Sequence, residues 1–313
     1  MQNIKVSDAL AQMGQITIKE LIKSRVPVTD KCISVNTYIF NEADIFNMDL
    51  DLFKTEVYFI YYNIINNKIK LNQINKNLVY NLRNEYLIPK GINKHFLINF
   101  KNCKINKFAN DTFLLEVALA IYEYSDEFNE LLNNLCKYIT TITNNTIKIL
   151  SFISLGIFSY YCKNINKYPV NNWMNLLVQF YMSKDLDSYL IKNNITIDNL
   201  IKTKFIFMLV KYENEYKNNN TYYNIHKICY LDGCFIQNLK NTKYNLAGTS
   251  ADQLLIIVYD IIVNIRPWFQ VLINTCFNYV ETKRVSFITS WFYFNLNPNS
   301  NMYKYFTNID KED

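Results

Sequence analysis

Histidine, glycine, proline and arginine are all scarce in this chain of 313 residues, which has two histidines, five glycines and five prolines. His95 and His226 are its whole supply of imidazole, so little is available for general acid–base catalysis. His226, Cys229 and Cys234 form one metal-like grouping. Paired Cys-x2-Cys spacing and a nearby fourth ligand are missing from it, so a core or loop origin is the plainer reading. Glycines at 14, 91, 156, 233 and 248 cannot build a phosphate loop, a dinucleotide-binding turn or a nucleophile elbow. The carboxylate pairs Asp49/Asp51 and Asp126/Glu127 fall on expected helix starts or solvated faces. The expectation is a protein that is not an enzyme and uses no cofactor or metal.

The same scarcity bears on fold. Sheet proteins with many tight turns draw heavily on Gly and Pro, so the expected class is all-α. Long apolar runs are also missing. Residues 149–162 are the longest uncharged apolar stretch, interrupted by Ser151, Ser154, Gly156 and Ser159. They fall short of the roughly 20 residues a bilayer span needs, and read as a buried core helix. Met1–Gln15 carries Asp8 and lacks a basic start followed by an apolar run, so no secretory leader is expected. Seven cysteines, an odd number without framework spacing, suit reduced thiols inside a cell.

What is abundant is Asn, Ile, Lys, Tyr and Phe, all residues with A/T-rich codons. That bias points first to an A/T- or A/U-rich genome, and lysine-richness alone says nothing about nucleic acid. Half the residues are hydrophobic and 16% are aromatic, enough apolar surface to offset ordering entropy. Apolar positions at helical spacing predict helices over 48–66 and 111–124, the second with Asp111 as N-cap. Residues 249–265 carry a Ser250/Gln253 capping-box pattern and a stripe of Leu254, Leu255, Ile257, Val258, Ile261 and Ile262. Pro267 suits the first turn of a further helix running to about Glu281.

Charge is distributed unevenly. Residues 57–107 hold nine cations (Lys68, Lys70, Lys76, Arg83, Lys90, Lys94, Lys101, Lys104 and Lys107) against Glu85 alone. That segment is net +8 while the whole chain is +6. Tyr58, Tyr61, Tyr62, Tyr80, Tyr86, Phe96 and Phe100 interleave with the cations. Cations that track phosphates beside stacking faces hold single-stranded nucleic acid without reading its sequence. The plainer alternative is a solvated surface loop whose rings belong to the core. Residues 108–135 then reverse sign with Asp111, Glu116, Glu123, Asp126, Glu127 and Glu130 and no base, which allows basic–acidic complementarity within or between molecules.

Ile33-Ser34-Val35-Asn36-Thr37-Tyr38 resembles the N-V-V-S-F-N-T-Y-G-K pattern of emaravirus nucleocapsid proteins, with Val35 where the family has Phe and Ile39-Phe40 where it has Gly-Lys. Asn245-Leu246-Ala247 is similar to the family's N-R-L-A without its Arg, and Tyr212-Glu213 to part of G-Y-E-F. The resemblance implies a nucleocapsid protein of a segmented negative-strand RNA virus, in the host cytoplasm and the virion. It implies two helical lobes with a basic groove between them and flexible N- and C-terminal arms that exchange between copies. On that reading residues 1–45 are an arm, 46–165 and 166–294 the lobes, and 295–313 a tail. Its partners are single-stranded RNA, further copies of the chain and the viral polymerase, with no membrane. The nine cations above and Tyr80 are the candidate RNA contacts. Two other readings stay open: a helical adaptor whose basic face meets an acidic protein, and a metal-dependent enzyme of nucleic-acid metabolism built from scattered acids.

Overall fold

Residues 56–75, 77–78, 81–82, 85, 114–215 and 282–299, together with Ile4, Leu255, Val258, Tyr259 and Ile262, are described by the structure, a computed structural model. Among them there are eight α-helices and no strand, so the fold class is all-α. They are α1 (Glu56–Asn66), α2 (Leu114–Glu123), α3 (Phe128–Thr140), α4 (Thr146–Lys163), α5 (Trp173–Met182), α6 (Asp185–Lys192), α7 (Asn199–Glu215) and α8 (Thr282–Leu296).

Helix α4 is the axis of the assembly and packs against α2, α3, α5, α7 and α8. Its sequence explains this position: from Ile149 to Cys162 it carries no charged side chain, and a helix apolar on all sides must be enclosed. Asn145 starts it, the side-chain oxygen accepting from the Lys148 N–H at 3.1 Å. Its serines are buried and mostly turned back on the backbone. The Ser154 hydroxyl donates to the Leu150 carbonyl at 2.7 Å and Ser159 to Gly156 at 2.6 Å. Tyr181 of α5 reaches in to donate to the same Leu150 carbonyl at 2.7 Å. The Ser151 hydroxyl, fully buried, has no protein partner.

Gly156 is where α3 comes closest. A Cβ placed there would run into the end of the Leu135 side chain, which would have to shift to admit it.

Aromatic side chains fill the rest. Phe158 stacks on Tyr259 at 5.4 Å and lies 5.6 Å from Trp173, which in turn is 5.9 Å from Phe292 of α8. The Trp173 indole N–H is satisfied by the Tyr168 carbonyl at 2.7 Å. Helix α8 is buried without interruption from Phe287 to Phe294. One cluster of buried side chains runs through all eight helices and the four residues of 255–262, and includes Ile4. Leu255, Val258 and Ile262 of the expected 249–265 stripe are helical and buried, as is Tyr259, which the stripe did not include; Leu254, Ile257 and Ile261 lie outside the described residues.

Several expectations meet the structure with shifted edges. The 48–66 helix is seen from Glu56, and the 111–124 helix from Leu114 to Glu123; Asp111 and residues 48–55 lie outside the described residues. Asn295 and Leu296, counted in the expected tail, complete α8, and residues 300–313 lie outside the described residues. The Asn295 amide donates to the Trp291 carbonyl at 2.7 Å and the Asn297 amide to Tyr293 at 3.0 Å, so hydrogen bonds of the last turn hold these asparagines. Described helices on both sides of residue 165 share one core. The Pro267 helix, the capping box at Ser250 and the motif at 33–38 lie outside the described residues. No helix among the described residues is long and apolar enough to cross a membrane.

Candidate nucleic-acid interface

The basic segment begins where α1 ends, and the local geometry is set by backbone hydrogen bonds. The Lys68 N–H donates to the Ile65 carbonyl at 3.2 Å and the Ile69 N–H to Ile64 at 3.2 Å, the paired bonds of a Schellman turn. Lys68 sits at its left-handed position with φ 48°, where glycine is the usual occupant. Ile69 drops back onto the core, and Lys68 and Lys70 are both exposed. A 3-10 turn follows over Leu71–Gln73, with the Gln73 side chain accepting from the Lys70 N–H at 3.2 Å. Asn75 then accepts from the Asn77 and Leu78 N–H groups at 3.0 and 3.1 Å, the pattern of an N-cap. The described residues beyond it, 77, 78, 81, 82 and 85, are helical, with Leu82 buried and Asn77, Asn81 and Glu85 exposed.

Lys68 and Lys70 are thus held apart from the core by an ordered turn. Lys76, Tyr80, Arg83, Lys90, Lys94, Lys101, Lys104 and Lys107 lie outside the described residues. The rings upstream correct the interleaving expected from sequence. Tyr58 is 4% exposed and Tyr61 2%, packed 6.4 and 5.1 Å from Phe287, so neither face is open to a base. Tyr62 is half-buried and stacks on Tyr58 at 5.7 Å. The helical spacing of Tyr58, Tyr61 and Ile65 was the signal that these rings belong to an inward face.

Tyr61 also ties three helices together. Its hydroxyl donates to Glu123 Oε1 of α2 at 3.1 Å and accepts from the Trp291 indole N–H of α8 at 3.0 Å. Burial, and after it the Glu123 carboxylate, push the Tyr61 phenol well above its ordinary pKa. One helical turn on, the Tyr124 hydroxyl donates to the Ile64 carbonyl at 3.0 Å. The acidic run is therefore fastened beside the end of α1, and its Glu123, Asp126, Glu127 and Glu130 are exposed. Only a weak attraction is expected between such exposed charges.

For other chemistry the described residues offer little. No group of three or more His, Cys, Asp and Glu among them could hold a metal ion. The His226, Cys229 and Cys234 grouping lies outside them. Cys136 and Cys162 are buried free thiols whose pKa burial pushes up to about 12, the opposite of a reactive cysteine. Among known proteins, no family model, no curated protein and no solved structure matches the chain.

Proposed function

We propose that this protein is a viral nucleoprotein that coats single-stranded RNA without sequence specificity and self-assembles through its terminal arms. The observation that carries the reading is the concentration of nine cations against one acid in residues 57–107 of a chain otherwise short of net charge. The exposure of Lys68 and Lys70 on an ordered turn supports it, since cations fixed away from the core can meet phosphates at little conformational cost. The emaravirus-like pattern at 33–38 gives the reading its viral setting, with host cytoplasm and virion as its locations and the viral polymerase as a further partner. The two lobes, the groove and the candidate contacts Lys76, Tyr80, Arg83, Lys90, Lys94, Lys101, Lys104 and Lys107 belong to this proposal.

The experiment is purification from cells without nuclease. A nucleoprotein carries nucleic acid through purification, raises the absorbance ratio of nucleic acid to protein, protects bound RNA from nuclease and forms rings or filaments. A clean monomer with no salt-dependent binding to single-stranded RNA would sink the proposal.

One finding favours a second reading. Burial of Tyr58 and Tyr61 removes two of the rings counted toward base stacking, and a basic face with fewer rings suits an acidic protein partner. A helical adaptor of that kind predicts a single protein partner and no protection of RNA.

A further inference from the structure

Cations and half-buried aromatic rings also meet on a surface outside the basic segment, at the C-terminal end of α4. Lys163 ends that helix and Lys167 lies in the turn after it; both are exposed. Lys163 Nζ stands 5.9 Å from the ring centroids of Tyr122 on α2 and Trp291 on α8. Lys167 Nζ is 5.2 Å from that of Tyr168. Tyr160 and Tyr168, with centroids 6.0 Å apart, are half-buried and keep part of their surface in water. An ammonium resting near a ring still has three N–H donors to share among other acceptors, and seating it there reduces the freedom it would lose on binding.

The helix dipole accounts for a lysine in the last turn of α4 but not for Lys167 or for the incompletely covered rings. Among the described residues, two acids lie in sequence beside the rings of this grouping. Glu123 adjoins Tyr122, and Glu127 precedes Phe128, whose ring is 5.0 Å from Tyr160. These carboxylates repel phosphate, which directs a strand toward the Lys163, Lys167 and Tyr168 side.

We propose that the end of α4 is a second contact surface for single-stranded nucleic acid, with Lys163 and Lys167 holding phosphates and the partly exposed Tyr160 and Tyr168 rings seating the cations beside them. The proposal rests on the nucleoprotein reading and adds a surface to it. The test uses the full chain and an unstructured oligouridylate, titrated at several salt concentrations. The double variant Lys163→Gln/Lys167→Gln should bind more weakly, with a log–log salt slope shallower by about 0.7 for each phosphate no longer neutralised. Lys163→Arg/Lys167→Arg should restore both, and Glu123→Gln, which keeps an acceptor for Tyr61, should tighten binding. Tyr168→Leu, which removes the ring that seats Lys167, should weaken binding about two- to fivefold, with helical circular dichroism reporting that the fold persists. Wild-type binding matched in affinity and slope by the Gln double variant overturns this surface while sparing the nucleoprotein reading. Absence of any binding by the wild type overturns both. Binding of polyglutamate that the Gln variant loses, with RNA binding unchanged, reassigns the surface to an acidic protein and overturns the proposal.

Discussion

Helix α4 and the stretch that follows α1 are drawn from the same biased alphabet and end in opposite places. Between Ile149 and Cys162 the chain spends its Ile, Phe and Tyr on a helix with no charged side chain, enclosed by five others. Between Asn66 and Lys76 it spends its Lys and Asn on a Schellman turn, a 3-10 turn and an N-cap, and Lys68 and Lys70 face water. Spacing sorts the residues: apolar positions run almost without a break in the first and are isolated in the second. The lesson is separability. Changes in α4 should cost the fold and every property that depends on it, whereas changes at Lys68 and Lys70 should leave the fold alone.

The largest break in that comparison comes from alkali. Tyr61, Tyr138, Tyr161 and Tyr181 are all buried, and burial raises each phenol above its ordinary value. The folded state then holds protons that the unfolded chain releases above about pH 10, so stability is full below that pH and falls as pH rises through the folded pKa values. Each such group contributes a loss of about 1.4 kcal/mol per pH unit over the range where only the unfolded chain ionises. The exposed phenols among the 25 tyrosines titrate first, and a late step in phenolate absorbance should coincide with unfolding; complete ionisation of all the phenols while the fold persists would contradict the burial.

Next in size is Phe158→Ala, which empties a site between Trp173 and Tyr259 and should cost about 3–5 kcal/mol in denaturant unfolding. Gly156→Ala should cost about 1–3 kcal/mol, because the new methyl meets the Leu135 side chain and forces it out of its place in the core. Lys68→Asn sharpens the contrast from the other side. Asn tolerates the left-handed conformation better than Lys, as Asn194 does with φ 54° in the matching turn after α6. The melting temperature should stay level or rise slightly, while affinity for single-stranded RNA falls.

The all-α class and the core helix at 149–162 were legible because few Gly and Pro punctuate the chain and because an uncharged run has only one place to go. The stripe of 249–265 was legible for the same reason, at Leu255, Val258 and Ile262. Helix α8 was not. Its sequence, TKRVSFITSWFYFNL, is rich in β-branched and aromatic residues that favour strands, and enclosure by the core overrides that preference. Helices α3 and α7 are interrupted by Asn, Lys and Thr, and α6 is short and broken by Asp and Ser, so inward residues such as Leu186 and Leu190 on α6 make thin signals. At the site, the exposed pair Lys68 and Lys70 was readable from charge. The Schellman turn that presents them was not, because it forms without a glycine. The removal of Tyr58 and Tyr61 into the core was readable from helical spacing, and charge counting passed over it.

The most direct test of the central claim is the salt dependence of RNA binding by a variant with Lys68, Lys70, Lys94, Lys101 and Lys104 changed to Gln, measured beside the wild type. The account predicts a wild-type affinity that falls steeply with salt, and a variant of unchanged helicity whose slope is shallower by about 0.7 for each lysine that met a phosphate. A variant that keeps the full slope and affinity, or a wild type that binds no single-stranded RNA, would contradict it.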